Sequence, residues 1–222
     1  MLVGRRAATP ALDPALLRLR AVSVAGVGTI LFATAFFAGT LNNVLFLTQR
    51  WHWSVLHAGL AITPSPLIAA LVARPAGRLA DRLGAAKVVT PGAIVYVIGM
   101  LLLRHLASGE PSFLRHWLPG ALLVGVGVGA CFPTLGGAGL VGVPDGQFSV
   151  ASALNSAARQ LGAVLGVSLL VVVQTAAGAH ALRQADAGWT LAACAAAACG
   201  LVAAALPPPE KHAVPAPTSP QP

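Results

Sequence analysis

Acidic side chains are nearly missing from this sequence, and none falls inside an apolar run. Asp13, Asp81, Glu110, Asp145, Asp186 and Glu210 are the six, and each lies in a polar stretch or a tail. That excludes an intramembrane carboxylate that could pick up and release a proton. Charge of either sign is scarce: 9% of residues are charged, against about 25% in a soluble domain. With 56% hydrophobic residues and a mean hydropathy of +0.78, the chain reads as a helical membrane protein. Cysteine is scarce too. Cys131, Cys194 and Cys199 sit inside apolar runs with no Cys or His at metal-ligand spacing, so they read as packing residues. No metal site and no cofactor are expected. The net charge of +8 comes from only 14 basic residues, placed at the ends of apolar runs. They form no basic arm and no basic helix face, which points to membrane orientation and away from nucleic acid.

What is present is a series of long apolar runs. After a basic, Pro-interrupted segment over 1–20, the uncharged run of 21–49 is far longer than the ~7–15 residues of a signal-peptide core. About 20 residues at ~1.5 Å each cross a ~30 Å hydrocarbon layer. Further spans are expected at about 54–73, 88–106, 117–143, 148–175 and 188–206, making a six-span domain over 21–206, and a Pro-rich tail over 207–222 has too little apolar content to fold. Pro64 and Pro66 predict a kink in the second span. Gly120, Gly125, Gly127, Gly129, Gly136, Gly137, Gly139 and Gly142 make the fourth span close-packed or flexing, and Gly162 and Gly166 form a small-xxx-small face in the fifth.

Polar residues inside the spans need partners. Asn42 and Asn43 must face protein or a water-filled cavity, as helix glue or as cavity lining. Arg159 costs ~2.5–3.5 kcal/mol or more at the bilayer centre, so it snorkels to the near surface or projects into a cavity. Trp51 and Trp53 read as interfacial aromatics in a short outer loop. His52 and His57 have no third ligand nearby, and the histidines are scattered, which argues against a membrane-embedded enzyme.

The stretch from Arg74 to Gly92 is the densest charge cluster between two apolar runs. Arg74, Arg78, Arg82 and Lys87 surround Asp81, and Gly77 and Gly84 are read as allowing a tight reversal. Short basic loops stay in the cytoplasm. With this loop inside, Arg5, Arg6, Arg18, Arg20 and Lys211 fall on the same side, leaving Arg50, Arg104, Arg115 and Arg183 outside. Both ends are then cytoplasmic and the lipid bilayer of the cell membrane is the chain's surroundings.

The pattern Gly77-x-x-x-Asp81-Arg82-x-Gly84-x-x-Lys87 resembles the loop signature of the major facilitator superfamily. The segment from Pro14 to Arg20, the span ending Leu45-Phe46-Leu47-Thr48-Gln49, the run His57 to Leu60 with Pro64, and Asn155-x-x-x-Arg159-Gln160-Leu161-Gly162-x-x-x-Gly166 are similar to the C-terminal half of its fourteen-span, DHA2-type drug:proton antiporters. The resemblance implies six helices in a three-plus-three inverted repeat, one half of an efflux transporter for small lipophilic molecules. It implies a gating latch at Gly77, Arg78, Asp81, Arg82, Gly84 and Lys87, although Ala85 and Ala86 stand where a fuller signature carries basic residues. Asn42, Asn43, Phe46, Asn155, Arg159 and Gln160 are the substrate-cavity candidates, and Gly125, Gly129, Gly162 and Gly166 the packing positions. The antiporter signature of the first half has no match here. The chain is therefore expected to be a fragment, a split-gene product or a half-size protein, working with an N-terminal transporter half or a second copy. A non-transporting membrane subunit is the alternative.

Overall fold

The structure, a computed structural model, describes residues 19–106, 110–144, 146–178 and 180–206. The expectations placed on Arg5, Arg6, Asp13, Arg18, Asp145, Glu210, Lys211 and the 207–222 tail lie outside the described residues. All described elements are helical: α1 (Arg20–Gln49), α2 (Val55–Ile62), α3 (Pro64–Leu83), α4 (Ala86–Leu106), α5 (Leu118–Ala138), α6 (Phe148–Ala176) and α7 (Ala181–Ala203). α2 and α3 together make one membrane-length unit, so six helical units are long and apolar enough to cross a bilayer. Six passes return the chain to the side on which α1 begins.

Chemistry local to each element explains its bounds. Between Arg20 and Arg50 no charged residue interrupts α1. Pro64 cannot donate to the Leu60 carbonyl, which accepts instead from Thr63 N at 3.3 Å. Nearby, the Ala61 carbonyl accepts from the buried Trp117 indole at 3.0 Å. The second span therefore breaks between α2 and α3 at Thr63. Phe113–Trp117 forms a single wide π turn ahead of α5, with Leu118 N bonded to Phe113 O, and it turns Trp117 inward.

Three expected spans have other bounds. The second, expected at 54–73, continues as helix to Leu83, so the supposed loop of 74–92 is two helix ends joined through Gly84 and Ala85. Charge marks where a helix leaves hydrocarbon, not where it stops, and Arg, Leu and Ala are good helix formers. Gly84 makes the reversal alone, at φ 97°, a conformation that favours glycine. Gly77 lies inside α3 and takes no part in it. The fourth span ends its helix at Ala138, not 143, since Gly136, Gly137, Gly139 and Gly142 leave too little helical preference to continue. The last helix starts at Ala181, not 188. Asp81 and Asp186, read as loop residues, thus lie within helices, Asp81 in the last turn of α3 and Asp186 in the second turn of α7.

α1 and α5 occupy the centre. α6 and α7 pack on α1, α3 and α4 pack on α5, and α4 meets α7. Exchanging α1 with α5, α3 with α6 and α4 with α7 maps this list of neighbours onto itself. Each exchanged pair runs in opposite directions across the bundle, which is the three-plus-three inverted repeat. Close approach depends on glycine. A β-carbon on Gly129 would lie 2.5 Å from the Ala69 carbonyl, one on Gly125 2.6 Å from that of Ser65, and one on Gly166 2.5 Å from that of Thr34. Gly162 abuts the Ile30 carbonyl as closely. Helices in lipid associate through such contacts, because burial from water contributes little between them. The outermost helices are the least covered: 17% and 22% of the apolar stretches of α2–α3 and α6 are buried, against 44–56% elsewhere.

At the end opposite Gly84, aromatic rings close the bundle. Phe46 lies 4.9 Å from Trp189, 5.3 Å from Trp51 and stacks at 6.3 Å on Trp117. Trp51, expected at the interface, is buried, because Trp117 arrives from a distant part of the chain to pack on it at 5.9 Å.

Candidate functional site

Val22, Ser23, Gly26, Val27 and Ile30 repeat along one face of α1, and Leu154, Ala157, Ala158 and Leu161 along one face of α6. Between these faces lies a groove of about 310 Å³, bordered also by Ala151, Asn155 and Gly139. That is the volume of a small ligand site. Its walls are apolar, with Ser23 and Asn155 as the side-chain polar groups. Thr29 Oγ1 donates to Asn155 Oδ1 at 2.9 Å, and the Asn155 NH2 has no partner among the described residues. Gly26 keeps the groove open, since a β-carbon there would meet nothing within 4 Å.

Of the cavity candidates, Asn155 alone lines this groove. Asn42 is fully buried, accepts from Gln174 Nε2 at 2.9 Å and donates to the Ala185 carbonyl at 3.0 Å. Asn43 accepts from the Trp189 indole at 2.8 Å. Asn42 ties α1 to α6 and α7, and Asn43 ties α1 to α7, with about 10 Å³ of free space beside Asn42. Phe46 belongs to the aromatic cluster. Asn42 lies 13 positions beyond Thr29 in the sequence, about 20 Å along the helix, so one small molecule cannot touch both polar groups. Arg159 and Gln160 are exposed on α6 and border the groove on neither side.

Arg78, Asp81, Arg82 and Lys87 surround the Gly84 turn and are exposed. Asp81 makes no hydrogen bond or ion pair among the described residues. The ion pair that is seen, Arg104 Nε to Asp186 Oδ1 at 3.6 Å, joins α4 to α7 at the opposite end. Sequence reasoning passed over Thr29, Gln174 and Tyr96, whose hydroxyl donates to the Ala35 carbonyl at 2.9 Å. An uncharged polar residue within an apolar run was their one signal.

Residues 25–221 match the Major Facilitator Superfamily. The chain belongs to that superfamily. Its six apolar helices and inverted repeat are the architecture of one half of such a protein, and it is a multi-pass membrane protein. Among major facilitator relatives, a multidrug resistance protein B homolog of Mycobacterium tuberculosis is 28% identical over 166 residues, covering 75% of this chain and 31% of its own length. The puromycin resistance protein pur8 of Streptomyces alboniger is 33% identical over 204 residues, 86% of this chain and 38% of the relative. The multidrug export protein EmrB of Haemophilus influenzae is 29% identical over 160 residues, 72% and 31%. The chain spans about a third of the length of these relatives.

Proposed function

We propose that this chain is the C-terminal half of a fourteen-span, DHA2-type drug:proton antiporter, and that it works with a separate half which covers α3 and α6. The observation that carries the reading is the apolar groove between α1 and α6 with one unpaired amide donor. Such a site admits lipophilic molecules of varied shape and orients those bearing a hydrogen-bond acceptor. The drug-resistance names of the relatives support an efflux role. Asp81, Arg78 and Arg82 are held ready for a partner, since no charge-assisted contact to Asp81 comes from the described residues. They act as a latch between the halves.

The test is reconstitution of the purified chain in liposomes under an imposed pH gradient, with a lipophilic cationic dye as substrate. The chain alone is expected to drive no dye movement. With the missing half supplied, movement is expected, and Asp81→Asn should lower it while leaving membrane insertion intact. Robust gradient-driven movement by the chain alone would overturn the half-transporter reading, and unchanged transport by Asp81→Asn would overturn the latch.

The basic turn sets orientation, with the Gly84 end in the cytoplasm. A cysteine at Ala85 should label only from the cytoplasmic side, and one at Ser108, outside the described residues, only from the external side. Labelling of the reverse sidedness would invert the topology.

A further inference from the structure

Arg159 is the only charged residue in the 29 residues of α6. It stands 11 positions after Phe148, about 16 Å along a helix about 43 Å long. A ~30 Å hydrocarbon layer centred on that helix places it roughly 10 Å inside. Arg159 is exposed and makes no hydrogen bond or ion pair among the described residues. Ser149, Ser152, Ser156 and Gln160 are exposed on the same side of the helix, whereas further along it Val164, Val167 and Val171 are. The polar face thus runs in from the Gly84 end and stops at Arg159.

A guanidinium at that depth is costly unless it reaches water, a backbone carbonyl or an anion, and a carboxylate is the strongest of these partners. None of the described carboxylates lies there. Asp81 lies two residues from the end of α3, about 3 Å from that surface. Asp186 is at the opposite end and pairs with Arg104, and Glu110 lies beyond α4. In a two-fold pair about the membrane normal, every residue keeps its depth. A second copy therefore brings no described carboxylate to Arg159.

We propose that the polar face of α6 docks a membrane-spanning helix of a different sequence, one that presents a carboxylate at the depth of Arg159. This rests on the half-transporter reading and specifies the covering half: it is not another copy of this chain. The small side chains of Ser152 and Ser156 let a helix approach closely. The relatives carry about two thirds of their length outside the match, with the shared part at 31–38%, enough to encode such helices.

The probe is a 21-residue leucine-rich transmembrane peptide with one Asp at its seventh residue, about 10 Å in, compared with its all-leucine counterpart. Binding to the full chain is read by energy transfer in phosphatidylcholine vesicles at pH 8. The Asp peptide is expected to bind at least about tenfold more tightly. Arg159→Gln should erase that advantage, Arg159→Lys should keep most of it, and circular dichroism should show both variants as helical as the parent. Mixed donor- and acceptor-labelled copies of the chain should show no Arg159-dependent self-association. Equal affinity for the two peptides, an advantage that survives Arg159→Gln, or self-association lost in that variant would overturn the proposal. So would displacement of the Asp peptide by excess benzoate, which would make the site one for small anions. Binding here requires no transport, so its failure is distinguishable from that of the dye experiment.

Discussion

Gly166→Leu is expected to leave no monodisperse, folded protein in mild detergent, whereas Gly26→Leu in the same bundle folds like the parent. At Gly166 the obstacle is backbone: the Thr34 carbonyl at 2.5 Å and Ala38 N at 3.1 Å from the new β-carbon. Overpacking a core costs about 1–3 kcal/mol where side chains can give way. Here they cannot, so α1 and α6 must separate by the width of a side chain. Separation also strips the Thr34 hydroxyl of its bond to the Gly162 carbonyl, 3.2 Å away. Gly129→Leu should fail equally, through the Ala69 backbone between α3 and α5. Gly26 faces the groove and meets nothing, so its leucine fills the groove without touching the fold. Size-exclusion profiles and thermal melts decide the matter. A Gly166→Leu protein melting within a few degrees of the parent would show that the glycines do not hold the helices together.

Asn42→Leu should be the most damaging of the single side-chain polar changes. One amide joins three helices, taking a hydrogen from Gln174 on α6 and giving one to the Ala185 carbonyl on α7. Interhelical bonds in membranes average ~0.6 kcal/mol and reach ~1.7, and a buried group left unpaired costs ~1–3 kcal/mol. Asn42→Leu removes both bonds and strands the Gln174 amide, for a loss of about 2–4 kcal/mol. Asn43→Leu removes the single bond from Trp189 and should cost about half as much. A double-mutant cycle with Gln174→Leu tests the tie directly. The pair should cost less than the sum of the singles, because the second change removes the group the first left unpaired. Strict additivity, read by denaturant unfolding in mixed micelles, would mean that Asn42 and Gln174 do not depend on each other.

Much of the architecture is legible in residue order. Uncharged runs longer than 20 residues are spans whatever surrounds them, and Pro64 with Pro66 marks a break that any helix would make. Two of the boundary errors share one cause, that polarity was read as an end of structure; the third took the Gly-rich run after Ala138 for helix because it is apolar. Arg74 to Leu83 is polar enough to leave the bilayer yet helical throughout, and Arg183 to Asp186 the same. The candidate site was harder. Asn42 and Asn155 look alike as amides in apolar runs, and nothing local separates them. What separates them is the partner each meets: Gln174 and Ala185 close over Asn42, whereas beside Asn155 α1 and α6 leave the groove open. Those meetings join residues more than a hundred positions apart, and no periodicity within one helix encodes them. Phe46 and Trp51 were misplaced for the same reason, since Trp117 packs on both.

The exchanged packing of the two three-helix repeats bears on how the protein is made. α1 finds its main partners in α6 and α7, and α3 in α5, so neither repeat completes its contacts by itself. Ribosomes add roughly 5–20 residues per second. From Gln49 to Phe148 the delay is therefore about 5–20 s, during which α1 sits in the membrane with Asn42 and Asn43 unmatched. α3 waits only about 2–7 s for Leu118 and the helix behind it. The first helix is thus the part of the nascent chain longest exposed to lipid with polar groups unpaired. An insertase that shelters it, or a stall between Leu83 and Phe148 that prolongs its wait, would govern the yield of folded protein more than any step after release.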